Sequence, residues 1–340
     1  MAVQTTGRQA GAAARPPRRR GEGVSRSEIL TAYLFIAPYL VIAGVFTVGL
    51  LVYAFYISFT DMESTLQRKV GFVGLDNYVQ AFGDREFRTA LLNVLWYFLI
   101  VTTFQTIFAI LLATLLNGRI KGLRIFRTLF YAPSVTSSVV ISMIFLWLYL
   151  PSGFINYALG LLGLPAGTAW MANPRGVIQN IASLFGADIT NSFLRGPSVT
   201  WTAIMAMNIF TTAPTLMLMF LAALQDIPEQ VYEAAAIDGA TGMRQFFSIT
   251  LPLLRPTIVL VVVLGTIGTF QVFDQVALMT RGGPLNTTLT PTYLIYTKTL
   301  GSGTSANAAL AAAMAFILAF IIFVITYLQR RYIESGTERY

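Results

Sequence analysis

The chain has no cysteine and no histidine among its 340 residues, and only 11% of its residues are charged. Without thiols or imidazoles there is no disulfide framework, no Cys/His zinc site, no thiol nucleophile, no haem ligation through either residue and no Ser-His-Asp triad. The scarcity of charge, set against 55% hydrophobic residues, nearly excludes an ordinary water-soluble enzyme and describes a chain solvated by lipid. A net charge of +8 need not signal nucleic acid, because Lys and Arg beside membrane spans set orientation.

What the sequence does contain is a series of long uncharged stretches. Ile29 to Thr60, Thr89 to Gly118, Thr128 to Pro174, Gly196 to Gln225 and Thr299 to Gln329 hold no charge, and Pro256 to Phe273 is an apolar run closed by Asp274. A hydrocarbon layer about 30 Å thick takes roughly 20 helical residues. The pattern therefore predicts six spans, with cores at 32–58, 90–116, 127–150, 201–224, 257–279 and 307–328. The stretch from Thr128 is too long for one span; Pro151-Ser152-Gly153 offers a break, and the remainder is expected outside, with helical or interfacial pieces.

Cytoplasmic segments carry the excess of Lys and Arg. With both termini inside, fifteen of the 23 basic residues fall on the inner side and eight, including Arg85, Arg175 and Arg195, on the outer side. Residues 1–28, rich in Ala, Gly, Pro and Arg, are expected to be a disordered basic cytoplasmic tail attracted to anionic lipid headgroups, 29–335 the transmembrane domain, and 336–340 a second cytoplasmic tail. The first apolar stretch is too long for the core of a signal peptide and reads as a span. Asn286-Thr287-Thr288 matches a glycosylation sequon, a pattern short enough to recur by chance.

The inner segment Asp226 to Arg255 is far longer than a turn requires. Asp226 and Glu229, with Pro228 between them, are helix-start signals, and Gly239 is a stop signal; Thr241 is placed to cap a second short helix running to Ile249 and closed by Leu251-Pro252. Asp226, Glu229, Glu233 and Asp238 outnumber Arg244 and Arg255, so this loop is acidic where the other inner segments are basic. Ala234, Ala235 and Ala236 leave one turn with little bulk. That suits close approach by another surface, or equally a short amphipathic helix using alanine for its helix propensity.

The pattern Glu233-Ala234-Ala235, three residues, Gly239, nine residues, Ile249, one residue, Leu251-Pro252 resembles the EAA loop of binding-protein-dependent ABC importer permeases. The resemblance extends over nearly all of residues 30–335 and points to the sugar-permease branch similar to maltose and glycerol-phosphate permeases. It is carried further by Phe72-Val-Gly-Leu-Asp-Asn-Tyr78, Phe126-Arg-Thr-Leu-Phe-Tyr-Ala-Pro133, Phe154-Ile-Asn156, Phe273-Asp274 and Thr280-Arg-Gly-Gly-Pro284. It implies an all-α integral membrane fold, the six-transmembrane-helix permease of an ABC type I importer. Glu233, Ala234, Ala235, Asp238, Gly239, Ile249, Leu251 and Pro252 would belong to a coupling helix and its flank, seated in a cleft of a cytoplasmic ATPase subunit. The implied partners are a second permease subunit, two ATPase subunits, an external solute-binding protein, the sugar and membrane lipid, in a bacterial or archaeal cell membrane. ATP and magnesium are then used by the ATPases, and this chain binds no cofactor. The external stretch from Pro174 to Thr200 is longer than the family usually has there; it extends contact with the binding protein or caps the bundle.

For the solute, Asn208, Thr212 and Thr215 follow spacings of four and three, which places them on one helical face near mid-membrane. They read equally as interhelical hydrogen-bonding residues or as a cavity wall. On span five, Thr269, Phe270, Gln271, Asp274 and Gln275, with Gly268 and Phe273, gather amide and aromatic groups of the kind that suit a sugar. The phenylalanines fit core or lipid contact as well. Asp274, the one acid placed within a span, is expected to meet solute hydroxyls, pair with a charge on the partner permease, or cap local structure. The resemblance favours solute lining for both regions. No Gly-x-x-x-x-Gly-Lys-Ser/Thr phosphate loop occurs, so ATP must be hydrolysed by another chain. An ion-coupled secondary sugar carrier is the main rival, thinly supported by one peripheral acid; a membrane enzyme finds no paired acids or nucleophile and base.

Overall fold

A computed structural model of the protein describes residues 25–64, 67, 70–118, 122–187, 189, 191, 194–301 and 306–334. The tails expected at 1–24 and 336–340 lie outside the described residues. The backbone divides into two compact units, residues 1–53 and 54–340. Helix α1 (Arg26–Ile57), whose last four residues belong to the second unit, opens in the first on a capping box: Glu28 N–H donates to Ser25 Oγ at 3.2 Å, and Ser25 N–H donates to the Glu28 carboxylate at 2.8 Å. Residues 25–28, expected in the basic tail, are therefore the cap and first turn of a helix. Ser-x-x-Glu ahead of an apolar run was the signal for it. None of the residues of α1 is buried, and a π-helical turn at Gly44–Gly49 interrupts it.

The second unit continues with α2 (Arg85–Asn117), α3 (Leu123–Val135), α4 (Ser138–Leu148), α5 (Val199–Gln225), α6 (Glu229–Ile237), α7 (Arg255–Phe270), α8 (Asp274–Met279) and α9 (Ala308–Glu334). Among the described residues five helices or helix runs are long and apolar enough to cross a membrane: α1, α2, α5, Arg255–Met279 and α9. The sixth crossing, expected as one helix over 127–150, is instead a bent pair in which α3 and α4 meet at 98°. Pro133 removes an amide from the last turn of α3, and two hydroxyls bond the carbonyls at the helix end, Ser134 Oγ donating to Tyr131 O at 2.7 Å and Thr136 Oγ1 to Ala132 O at 3.0 Å.

The core is the seam between α2 and α5. Residues of α2 at spacings of three and four (Val94, Tyr97, Val101, then Ala109, Ala113, Leu116) face Trp201, Ile204, Met205, Ala213, Met217 and Phe220 of α5, all buried. Small residues at Ala109, Ala113 and Ala213 suit the close approach by which helices associate in lipid, where apolar burial alone gives no preference for protein over acyl chains. Trp201 stacks on Tyr97 with ring centroids 4.6 Å apart and donates from Nε1 to Asn93 O at 2.9 Å.

At the end of the spans that the charge pattern places outside, three short motifs are fixed by side-chain amides, those of Asn77 and Asn156 buried and that of Asn93 half-buried. Asn77 Nδ2 donates to the carbonyls of Ser58 and Thr60, at 3.0 and 2.7 Å. Asn93 Nδ2 donates to Asn286 O and Leu289 O, at 2.8 and 2.9 Å, holding a turn in which Arg281, Leu285 and Asn286 all have positive φ. Asn156 donates to the carbonyls of Leu150, Pro151 and Thr168, and its Oδ1 accepts from Thr168 N and Trp170 Nε1. Replacing it strands several buried groups at once. Asn156→Leu is expected to lower stability by about 2–3 kcal/mol, read as a fall of about 5 °C or more in the apparent melting midpoint of the nanodisc-embedded chain. An unchanged midpoint would show that water replaces these bonds.

Candidate functional site

Two regions carry the arrangement expected of a working membrane protein: a cavity within the spans and a structured inner loop. The cavity, about 390 Å³, is walled by α2, the α3–α4 bend, α5, α7 and the first turn of α8. Asn208, Thr212, Thr215, Thr269 and Gln275 all line it. Phe270 does not; it is 2% exposed and packs on Phe98 at 5.2 Å, which makes it a core residue. Gln271 is exposed and lies outside the lining, in the break between α7 and α8. Asp274 also lies outside it, its Oδ2 accepting from Ser138 Oγ at 2.6 Å. Span five was read as continuous through these positions. The break after Phe270 turns them away from the cavity, and Thr290 and Thr292 satisfy the carbonyls of Val272 and Phe270.

Gly268, named with the span-five group, lines it as well, whereas the sequence reading missed Gln105, Ser134, Thr136, Ser138, Thr211 and Gly265. Gln105 had a usable signal, an amide inside an otherwise apolar run, and Pro133 signalled the bend. Gln105 Oε1 accepts from Thr212 Oγ1 at 2.8 Å, tying α2 to α5 at the cavity. Gly265 is what lets that amide sit there: a Cβ at this position would stand 2.6 Å from Gln105 Nε2.

The hydrogen-bonding sense of the wall is one-sided. The hydroxyls of Ser134, Thr136, Ser138, Thr211, Thr212 and Thr269 donate within the protein, to helix carbonyls, to Gln105 or to Asp274. A hydroxyl whose only hydrogen is engaged still offers lone pairs. The wall therefore presents mostly acceptors, with donors from the amides of Gln105, Asn208 and Gln275 and from the hydroxyl of Thr215, and none of its described lining residues is charged. Among the described residues no three His, Cys, Asp or Glu side chains gather in one place.

On the inner loop, Asp226 ends α5 as its C-cap rather than starting α6, whose N-cap is Pro228. The α6 terminus is a Schellman motif: Gly239 N–H donates to Ala236 O at 3.0 Å and Ala240 N–H to Ala235 O at 2.9 Å, with Gly239 at φ +75°. The short helix after Thr241 does not stop at Leu251-Pro252. A π-helical turn, Phe246–Thr250, leads into Leu251–Leu253 and then α7, so Ile249, Leu251 and Pro252 form the continuous junction with span five. Tyr232 OH and Thr250 Oγ1, 3.0 Å apart, join α6 to this junction. Ala235 faces inward, while Glu233, Ala234, Asp238 and Gly239 are exposed and Ile237, 87% exposed, stands at the tip.

Residues 105–335 match the family model described as the binding-protein-dependent transport system inner membrane component. The chain belongs to this family. The permease is 30% identical over 305 residues to the probable ABC transporter permease protein YesP of Bacillus subtilis, covering 88% of this chain and 89% of that one. It is 31% identical over 258 residues to the trehalose/maltose transport system permease protein MalF of Thermococcus litoralis (76% and 79% covered), and 29% identical over 306 residues to the lactose transport system permease protein LacF of Rhizobium radiobacter (88% and 93%). Its fold matches a chain of a bacterial ABC transporter that imports the acidic polysaccharide alginate, with a TM-score of 0.71 at 22% identity, covering 91% of this permease and 96% of that chain. It is thus a multi-pass membrane transport subunit of the ABC importer type.

A permease without cysteine allows direct mapping of the cavity. Thr215→Cys and Gly268→Cys, at exposed lining positions, are expected to react with a water-soluble thiol reagent at least about tenfold faster than Phe270→Cys in membranes. Equal rates at all three positions would contradict the assigned lining.

Proposed function

We propose that this permease forms half of a translocation pathway for a hydroxyl-rich solute, a saccharide or related polyol compound, imported at the expense of ATP hydrolysed by other chains. The single observation that carries this reading is the uncharged, acceptor-rich cavity. Solute hydroxyls donate to the threonine and serine oxygens while the Asn208 and Gln275 amides donate back, in contacts individually weak enough to release. The names of its relatives support the class: lactose, trehalose/maltose and, for the Escherichia coli protein UgpA, sn-glycerol-3-phosphate transport.

In this reading the membrane is a bacterial or archaeal inner membrane, both termini are cytoplasmic, and residues 29–335 form the membrane domain. A second permease completes the pathway, two ATPases with their ATP and magnesium lie beneath, and a solute-binding protein delivers from outside; a solved importer with its binding protein and an alginate pentasaccharide supplies the analogy. The loop at 226–255 is the handle. Its exposed Ile237 tip fits an apolar cleft, and its continuity with α7 through Leu251–Leu253 transmits a pull on the loop to the helix that walls the cavity. ATP-driven closure then favours one arrangement of the bundle only through its differential contacts with this loop. An ion-coupled carrier is disfavoured because a coupling ion commonly needs ionisable groups or broken-helix carbonyls at its site; here the cavity lining is uncharged and several carbonyls beside it accept threonine and serine hydroxyls.

Glu233→Ala and Gly239→Pro, the second incompatible with φ +75°, are expected to leave membrane insertion intact. Both should lower binding-protein-stimulated ATP hydrolysis and uptake by about tenfold or more, equivalent to about 1.4 kcal/mol of lost coupling. Normal stimulation of the reconstituted assembly by both variants, or uptake driven by an ion gradient without ATPases, would refute the reading.

A further inference from the structure

A second and larger cavity, about 730 Å³, opens at the other end of α2 and α5, and its chemistry differs from that of the first. Arg85 from the first turn of α2 and Arg175 and Arg195 from the 174–200 loop all line it, together with Trp96, Asn93 and Gln179. The loop is held there by a stem. Val177 N–H donates to Pro197 O and Val199 N–H to Arg175 O, both at 2.9 Å, and Gly176 pairs with Ser198 in an antiparallel bridge. The stem closes so tightly that a Cβ on Gly176 would stand 2.1 Å from Arg195 O. The two loop arginines are therefore carried by a built scaffold.

Among the described residues one acid, Glu86, lines the cavity, and its carboxylate is within 3.6 Å of Lys298 Nζ, which also pairs with Asp84 at 3.4 Å. Among the described residues neither Arg85 nor Arg175 has a side-chain hydrogen bond or ion pair, and Arg195 uses one donor, Nε to Ile189 O at 3.2 Å. Three guanidinium groups thus share one concavity with most of their donors uncommitted. Such a field attracts anions, and the planar fork of arginine matches a carboxylate or phosphate two bonds at a time. The volume is that of a small-molecule site, and an indole with two amides suits a sugar ring.

We propose that this cavity is an entry subsite for the anionic group of the solute, so that the imported compound is an acidic saccharide or a sugar or polyol phosphate rather than a neutral sugar. The inference rests on the permease reading above and narrows its substrate class. The concave form of the site favours a small solute over an acidic face of the binding protein.

The test uses the full chain in neutral-lipid nanodiscs, with binding followed calorimetrically. Digalacturonate and glycerol 3-phosphate are expected to bind saturably and at least about tenfold more tightly than maltose and glycerol, and to weaken as salt rises. The paired substitution Arg175→Gln with Arg195→Gln is expected to weaken both anions by about tenfold or more. Arg88→Gln, an exposed arginine on the same helix outside the cavity, should not. Absence of saturable anion binding, equal affinity for maltose and digalacturonate, no effect of the paired substitution, or an equal effect of Arg88→Gln would each overturn the proposal. So would a paired variant that keeps its anion affinity but loses capture of the solute-binding protein, which would make the cavity a protein-docking site. Binding by the isolated chain is independent of ATP coupling, so these failures would leave the permease reading intact, and a failure of the Glu233 and Gly239 variants would not be mistaken for one of them.

Discussion

Inside a hydrocarbon layer no water is at hand for a backbone carbonyl that has lost its helical partner, and this one constraint shapes the region around the cavity. A solute pathway needs helices that bend away from one another, yet each bend frees carbonyls that cost several kcal/mol if left unpaired. The chain resolves the conflict with short hydroxyl side chains. Ser134 and Thr136 answer the end of α3, and Thr290 and Thr292 answer the break after Phe270. Ser134 and Thr136 also line the cavity, so in the proposed reading the fold and the solute are served by two sides of the same hydroxyl.

The seam of α2 and α5 gives these bends something rigid to work against. Its buried stripe runs from Ala90 and Val94 through Ala109 to Leu116, with Trp201 and Tyr97 stacked towards one end and Leu116 clustered with Leu224 towards the other. Gln105 sits midway along that stripe, and its bond to Thr212 places an amide at the cavity edge without loosening the packing, because Gly265 leaves room for it. The bent elements, α3 with α4 and α7 with α8, lie against this pair, and Ser138 and Asp274 join the two bends on the side away from the inner loop.

Much of this was legible in the sequence where the physics is one-dimensional. Absence of charge over about 20 residues marks a span in any lipid, and the spacing of Asn208, Thr212 and Thr215 fixes their common face whatever the partner helix is. Gly239 stops α6 because a residue at positive φ is needed there, and glycine announces it. What was not legible depended on where a helix breaks. Span five read as continuous would have turned Phe270, Gln271 and Asp274 toward the solute; a break at Gln271 sends Phe270 into the core against Phe98 and Asp274 to Ser138. Span three failed in the same manner, since Pro133 is tolerated in many spans and only the flanking Ser134 and Thr136 show that its consequences are accommodated by bending. Arg175 and Arg195 lie twenty residues apart, and nothing short of the stem between Gly176 and Ser198 brings them to the same cavity as Arg85.

In the proposed reading, the two cavities divide the recognition of a solute by hydrogen-bonding sense. A wall of hydroxyls whose hydrogens are already committed offers lone pairs, and lone pairs repel a carboxylate or phosphate as surely as they welcome a hydroxyl. Charged donors at that depth would reverse the preference, but each would have to be stripped of water inside the bilayer, and an unpaired guanidinium there costs several kcal/mol whenever the site stands empty. At the end of the spans the same guanidinium keeps its hydration and costs little, which is where Arg85, Arg175 and Arg195 stand, two of them on a loop outside the spans. The arrangement lets a ring with its hydroxyls lead into the uncharged cavity while an acidic substituent is met at the mouth. For a solute that must eventually be released, holding the strongest contact where water can compete for it keeps the deeper site weak.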